Sequence, residues 1–132
     1  MTKDYSRIID ANLNRLREGI RVIEDIARYL QNDSELSKKL KNLRHSAKIS
    51  DINSLLESRD SVNDVLRPTM ELELERSDIK SILIANYKRA EEAARVLEEI
   101  LKIDSPIESE IFKNIRYELY TMEKNQILAI KI

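Results

Sequence analysis

Residues 11–26 read ANLNRLREGIRVIEDI, and residues 85–100 read ANYKRAEEAARVLEEI. At a constant offset of 74 positions, eight of the sixteen pairs are identical: Ala11/Ala85, Asn12/Asn86, Arg15/Arg89, Glu18/Glu92, Arg21/Arg95, Val22/Val96, Glu24/Glu98 and Ile26/Ile100. Ile23/Leu97 and Asp25/Glu99 are conservative. A weaker echo follows, KNLRH at 41–45 against KNIRY at 113–117. Self-similarity of this kind marks one supersecondary unit that occurs twice.

The unit reads as a helical hairpin. Ile9, Leu13, Leu16, Ile20, Ile23, Ala27 and Leu30 recur at alternating spacings of four and three, which lays one apolar seam along a helix over about 5–30. Asn32, Asp33 and Ser34 break the pattern, with Ser34 placed to cap a second helix that begins near Glu35. That helix carries Leu36, Leu40, Leu43 and Ala47 and extends toward Ile52, Leu55 and Leu56. Ser77 and Asp78 cap a third, over about 78–103, with the seam Leu83, Tyr87, Ala90, Ala94, Leu97 and Leu101. Pro106 suits the first turn of a fourth, which runs to about 128 with Ile111, Ile115, Leu119 and Met122 inward. One hairpin cannot bury its own seam. The two therefore pack as an all-α four-helix bundle with a pseudo-twofold axis, repeat 1 over about 5–57 and repeat 2 over about 78–128 in a single domain. Between them, Arg59, Asp60, Asn63, Asp64 and Pro68 break the helical period, and 58–77 reads as an ordered connection in which 70–74 alternates like a short extended piece.

Composition supports the helices and narrows the function. One glycine and two prolines in 132 residues leave little for strands and tight turns. The absence of cysteine removes disulfides and thiolate metal sites. A net charge of −1 with 36% charged residues is a balanced surface, which argues against a dedicated nucleic-acid binder. No signal peptide is evident and no apolar run reaches membrane-spanning length, so the chain reads as cytoplasmic with no membrane partner. A homo-oligomer, such as a dimer, is compatible with the apolar end NQILAIKI at 125–132.

A core explains repeated Ile, Leu and Ala. It does not explain repeated Asn, Arg and Glu. Asn12, Arg15, Glu18, Val22 and Asp25 share one stripe beside the seam of the first helix, and Asn86, Arg89, Glu92, Val96 and Glu99 match them in the third. If the hairpins face each other, the stripes flank one cleft lined with guanidinium, carboxylate and carboxamide groups. The plainer reading is that they form ordinary surface ion pairs, worth a few tenths of a kcal/mol each and copied by duplication. Elsewhere, His45 is the single histidine, and its repeat partner Tyr117 makes packing the simpler role for it. Phe112, Tyr117 and Tyr120 read as core aromatics, with a stacking platform as the alternative. Asp60 and Asp64, beside Arg59 and Arg67, suit either a magnesium site next to phosphates or simple turn formation. One glycine cannot build a phosphate-binding loop, so any bound phosphate falls to side chains, chiefly arginine.

RIIDANLNRLREGIRVIEDIARY at 7–29, ANYKRAEEAARVLEEI at 85–100, Arg59-Asp60, Asp64, Arg76 and IFKNIRYELYTMEK at 111–124 resemble a known family. It is the helical domain fused ahead of thiamin-phosphate synthase in some bacteria, which also occurs alone and is assigned as an alternative hydroxymethylpyrimidine-phosphate kinase. Leu66 departs from it where a glycine is expected. The resemblance implies ATP-dependent phosphorylation of hydroxymethylpyrimidine phosphate to the pyrophosphate, with Mg²⁺ as cofactor and ATP as co-substrate. Such a reaction needs charge neutralisation and in-line positioning more than a general base. Set beside the residues, it makes Arg15, Arg89 and Asp60 the candidate catalytic groups. Asn12, Glu18, Arg21, Asn86, Glu92, Arg95, Arg59 and Arg116 become candidate substrate-binding groups, with Arg44 a further clamp candidate and Asp60 and Asp64 the candidate metal ligands. Two rivals stand beside this reading: a non-catalytic module that binds a phosphorylated thiamin precursor, and a purely structural bundle.

Overall fold

The structure is a computed structural model that describes residues 3–68 and 75–130. The alternating piece expected at 70–74 lies outside the described residues. Five α-helices follow in order: α1 Lys3–Asp25, α2 Ser34–Ser46, α3 Ile52–Ser58, α4 Ile79–Asp104 and α5 Pro106–Leu128. A π-helical turn, Ile26–Leu30, continues α1. Among the described residues there is no strand, and no helix is long and apolar enough to cross a membrane.

Most seam residues fold as their spacing predicts, but Leu30, expected in the first seam, is exposed beyond the π-helical turn. Ile9, Leu16, Ile20, Ile23 and Ala27 of the first helix and Leu83, Tyr87, Ala90, Ala94, Leu97 and Leu101 of α4 are all buried in one core. Local chemistry sets most ends. Asp78 accepts from the Ser81 backbone N–H at 2.7 Å while the Ser81 hydroxyl accepts from the Asp78 N–H at 3.1 Å, a reciprocal capping box. Ser105 caps α5 and Pro106 opens it. Four expectations need correction. The cap of α2 is Asp33, whose carboxylate accepts from Leu36 N–H at 3.0 Å, one residue before Ser34. The second helix stops at Ser46. The chain then turns Ala47 and Ile49 into the core, and Asp51 caps the separate short α3. Ile111 lies on the outside of α5 and Phe112 takes the core position. Tyr117, Tyr120 and His45 are exposed.

α1 and α4 form the centre. Gln126 joins them: its amide donates to the Ile23 carbonyl at 3.1 Å near the end of α1, and its oxygen accepts from the Tyr87 hydroxyl at 2.5 Å near the start of α4. The two helices therefore run antiparallel. They meet at Gly19, where an added Cβ would lie 3.1 Å from the Asn86 carbonyl oxygen and 3.3 Å from Ala90 Cβ. A β-branched residue there would force the helices apart. α2 and α3 lie against α1, α5 lies along α4, and α2 and α5 barely touch.

Each hairpin is locked by the same ion pair. Arg44 of α2 donates to both oxygens of Glu24 at 2.7 and 3.3 Å. Arg116 of α5 donates twice to Glu98 Oε1 at 3.1 and 2.9 Å, while Arg95 reaches Oε2 at 3.1 Å. Glu24 and Glu98 are repeat partners, and both are buried. Charge-assisted bidentate bonds of this kind are among the stronger polar contacts.

The second hairpin also holds an acid pair that the first lacks. Lys88 places its ammonium 3.2 Å from Glu91 on α4 and 3.2 Å from Glu123 on α5. One cation does not neutralise two carboxylates, and Glu91 Oε2 is buried with no hydrogen-bond partner. Burial first, and the neighbouring Glu123 second, push the Glu91 carboxyl up to about 7.

Three outcomes are expected. Gly19→Val costs on the order of 2 kcal/mol by overpacking the crossing, read as a lower urea midpoint. Arg44→Ala costs about 3 kcal/mol because it leaves the buried Glu24 charge unpaired, whereas the double change Glu24→Leu, Arg44→Leu recovers most of that. Glu91 binds its proton more tightly folded than unfolded, so the stability it contributes is complete below pH 4.5 and is lost as pH rises through about 7. Glu91→Gln should flatten that fall, on the order of 1–3 kcal/mol, in urea titrations at pH 5 and pH 8.

Candidate functional site

The structure sorts the repeated charges into two groups. The first serves the hairpins. Arg21 pairs with Asp25 at 3.4 Å, and Arg95 pairs with Glu98 and Glu99, each at 3.1 Å. Glu24 and Glu98 hold Arg44 and Arg116. For these residues the plain reading of internal ion pairs holds. Arg116 has further support: its guanidinium lies 4.8 Å from the Tyr117 ring centre and 5.9 Å from that of Tyr120, and the two rings meet edge to face. Hydrogen bonding to Tyr120 first, and to Glu98 after it, raises the Arg116 pKa above its ordinary value. Helical spacing puts the Glu–Arg pairs on the opposite flank of α1 and α4 from Arg15 and Arg89.

The second group is Arg15, Glu18, Arg89 and Glu92. All four are exposed, and among the described residues none makes a hydrogen bond or ion pair. The i, i+3 pairs Arg15–Glu18 and Arg89–Glu92, which a plain surface reading expects, do not form. Arg15 and Glu18 lie within four residues of Gly19 on α1, and Arg89 and Glu92 lie within two residues of its contact Ala90 on the antiparallel α4. Asn12 and Asn86 complete the pattern with matching geometry. Each amide donates one N–H to the carbonyl four residues back, Ile8 or Ile82, at 2.9 Å. Each keeps its oxygen and second N–H uncommitted among the described residues. Asn12 is buried and Asn86 half-buried, and Val22 stays on the surface of the same stripe. Asp25 and Glu99, expected on the same stripes, instead pair with Arg21 and Arg95.

The Asp/Arg connection anchors at the other end of α1. Arg59 donates to both oxygens of the buried Asp10 at 2.8 and 2.7 Å, and Arg7 donates to the Asp60 carbonyl at 3.1 Å. Pairing with Asp10 raises the Arg59 pKa. The Asp60 carboxylate accepts from the Asn63 backbone N–H at 3.0 Å and its side-chain amide at 2.9 Å, which holds it below its ordinary pKa and keeps it ionised. Asp64 accepts from the Leu66 N–H at 3.1 Å. Both aspartates shape turns. Among the described residues no three His, Cys, Asp or Glu side chains gather as a metal cage. Magnesium does not require one: it commonly takes one or two carboxylates and completes its shell with phosphate oxygens and water. Asp60 and Asp64 fit that role chemically.

Sequence reasoning missed Asp10 as the partner of Arg59, and it missed the Lys88–Glu91–Glu123 cluster. Both depend on contacts between distant segments, and no local spacing announces them.

The comparisons with known proteins point to one family. The model of the ThiD2 family matches residues 7–125. A thiamine-phosphate synthase from Nostoc punctiforme is 43% identical over 90% of this chain and 34% of its own length. A second, from Synechocystis, is 40% identical over 89% of this chain and 35% of its own. A more distant one, from Rhodopirellula baltica, is 35% identical over 86% and 32%. The chain spans about a third of the length of these relatives. No solved structure matches it. With a family match over nearly its whole length, laid on a duplicated hairpin, the chain belongs to the ThiD2 family.

Proposed function

We propose that this chain is an ATP-dependent kinase that converts hydroxymethylpyrimidine phosphate to the pyrophosphate, with the α1–α4 crossing as its reaction site. The observation that supports this most is the division of the repeated charges. Arg21, Glu24, Arg95 and Glu98 have structural partners, whereas Arg15, Glu18, Arg89 and Glu92 are free among the described residues and lie together at the crossing. Charges kept in both halves without an internal partner suit an external one. The relatives' thiamine-phosphate synthase names supply the biosynthetic setting.

The acceptor is a phosphate monoester, whose second ionisation falls near pH 6, so its attacking oxygen is already anionic at neutral pH. No residue has to remove a proton from it. What the reaction lacks in water is a way to bring two phosphorylated molecules together. Arg15 and Arg89 answer that need by donating in planar pairs to phosphate oxygens and offsetting charge in the transition state. Glu18 and Glu92 accept from amino or hydroxyl groups of the bound molecules. Arg59 and Asp10 fix the connection so that Asp60 and Asp64 keep a defined shape. Those two aspartates are the residues that would hold magnesium arriving with the nucleotide. Bound there, the ion would neutralise phosphate charge.

Purified protein with ATP, Mg²⁺ and hydroxymethylpyrimidine phosphate should form ADP and the pyrophosphate product, with the free alcohol as control. Arg15→Ala and Arg89→Ala should each lower kcat/KM about 100-fold or more without moving the melting temperature. Near-normal turnover in both variants would remove the crossing from the mechanism. Binding of the pyrimidine phosphate without turnover would instead mark a sensor.

A further inference from the structure

The two halves of the crossing carry the same recognition set, and this has a chemical meaning. We infer that each half is a separate binding site for one 4-aminopyrimidine phosphate, so that the chain holds two such ligands at once. The inference rests on the proposed location of the reaction site and deepens it by naming what each half recognises.

The first ground is the duplicated geometry. Asn12 and Asn86 spend one amide N–H on the carbonyl four residues back, at 2.9 Å in both cases. What remains on each planar amide is one N–H donor and the carbonyl acceptor. That pair complements the ring nitrogen and neighbouring exocyclic amino group of a 4-aminopyrimidine, which in adenine are N1 and the 6-amino group. Arg15 and Arg89 lie one turn further along, exposed and with no internal partner among the described residues, as phosphate donors. Glu18 and Glu92 offer carboxylates to any second donor on the ligand.

The second ground is what the two reactants share. Hydroxymethylpyrimidine phosphate is a 4-aminopyrimidine with a phosphate. The six-membered ring of adenine is also a 4-aminopyrimidine, and ATP carries it together with phosphates. A duplication that keeps asparagine, arginine and glutamate in both copies keeps recognition of one chemical element in both copies. A kinase whose two substrates share that element has a use for both.

The third ground is distance. Gly19 brings the helix backbones close. With a rise of about 1.5 Å per residue and an interaxial distance near 8 Å, the Cα atoms of Arg15 and Arg89 lie about 10 Å apart. That separation is within reach of two arginine side chains holding neighbouring phosphates.

AMP is the probe, because it combines the aminopyrimidine ring with a single phosphate and cannot donate a phosphoryl group as ATP does. Calorimetry or chemical-shift titration should find two AMP per chain. IMP, in which a keto group replaces the amino group, should bind about tenfold more weakly or worse at both sites. Arg15→Ala and Arg89→Ala, both at exposed positions, should each leave one AMP per chain, with unchanged circular dichroism melts. One AMP per chain in the unaltered protein, or equal binding of IMP, overturns the inference even if kinase turnover is found. Two AMP per chain without turnover keeps it and removes the kinase instead.

Discussion

Everything in this bundle depends on how closely α1 approaches α4. At Gly19 the missing side chain lets one helix rest against the backbone carbonyl of Asn86 and the methyl of Ala90. A larger residue there would separate the seams that bury Leu16, Ile20, Ala90 and Ala94. The same approach sets the width of the outer surface, where Arg15, Glu18, Arg89 and Glu92 stand. The chain's single glycine is thus a packing device and a site-shaping device at once. Its repeat partner is Ala93, so one small residue from each half serves the same interface.

The duplication was visible in the residues, and with it the all-α class, the hairpin order and both seams. Strong periodicity made α1 and α4 legible because one face of each is wholly buried. The cap at Asp78 and the opening of α5 at Pro106 were legible because such end signals are local. α5 was harder to read. It packs along α4 but hardly against α2, so its buried stripe is narrow, and a shift of one residue, about 100° on a helix, exchanges Ile111 for Phe112. Tyr117 and Tyr120 look like core residues by type, yet they stand outside and flank Arg116. The break after Ser46 carries no glycine or proline to announce it.

For the site, sequence alone left two readings of the repeated charges in balance. In the structure Arg21, Glu24, Arg95 and Glu98 are ion-paired, whereas Arg15, Glu18, Arg89 and Glu92 have no partner among the described residues. The distinction rests on partners twenty or eighteen positions away in the chain, Glu24 with Arg44 and Glu98 with Arg116, which no i, i+3 or i, i+4 rule describes. Arg95 shows the overlap, since it bonds its neighbours on α4 and also joins the deeper pair. Arg15 and Arg89 resemble it in sequence, each with a glutamate three residues on, yet make no ion pair among the described residues.

The difference between those two spans, twenty residues and eighteen, has its own consequence. The first hairpin carries two more residues in its connection than the second, yet both closing pairs form. The π-helical turn at Ile26–Leu30 and the left-handed Asn32, at φ 53°, take up the excess. α4 instead runs straight into its turn at Ser105. Length in this connection is therefore decoupled from the register of the helices it joins. Lineages can lengthen or shorten the chain there without retuning the interior, which makes it the natural place for grafts, tags and evolutionary drift.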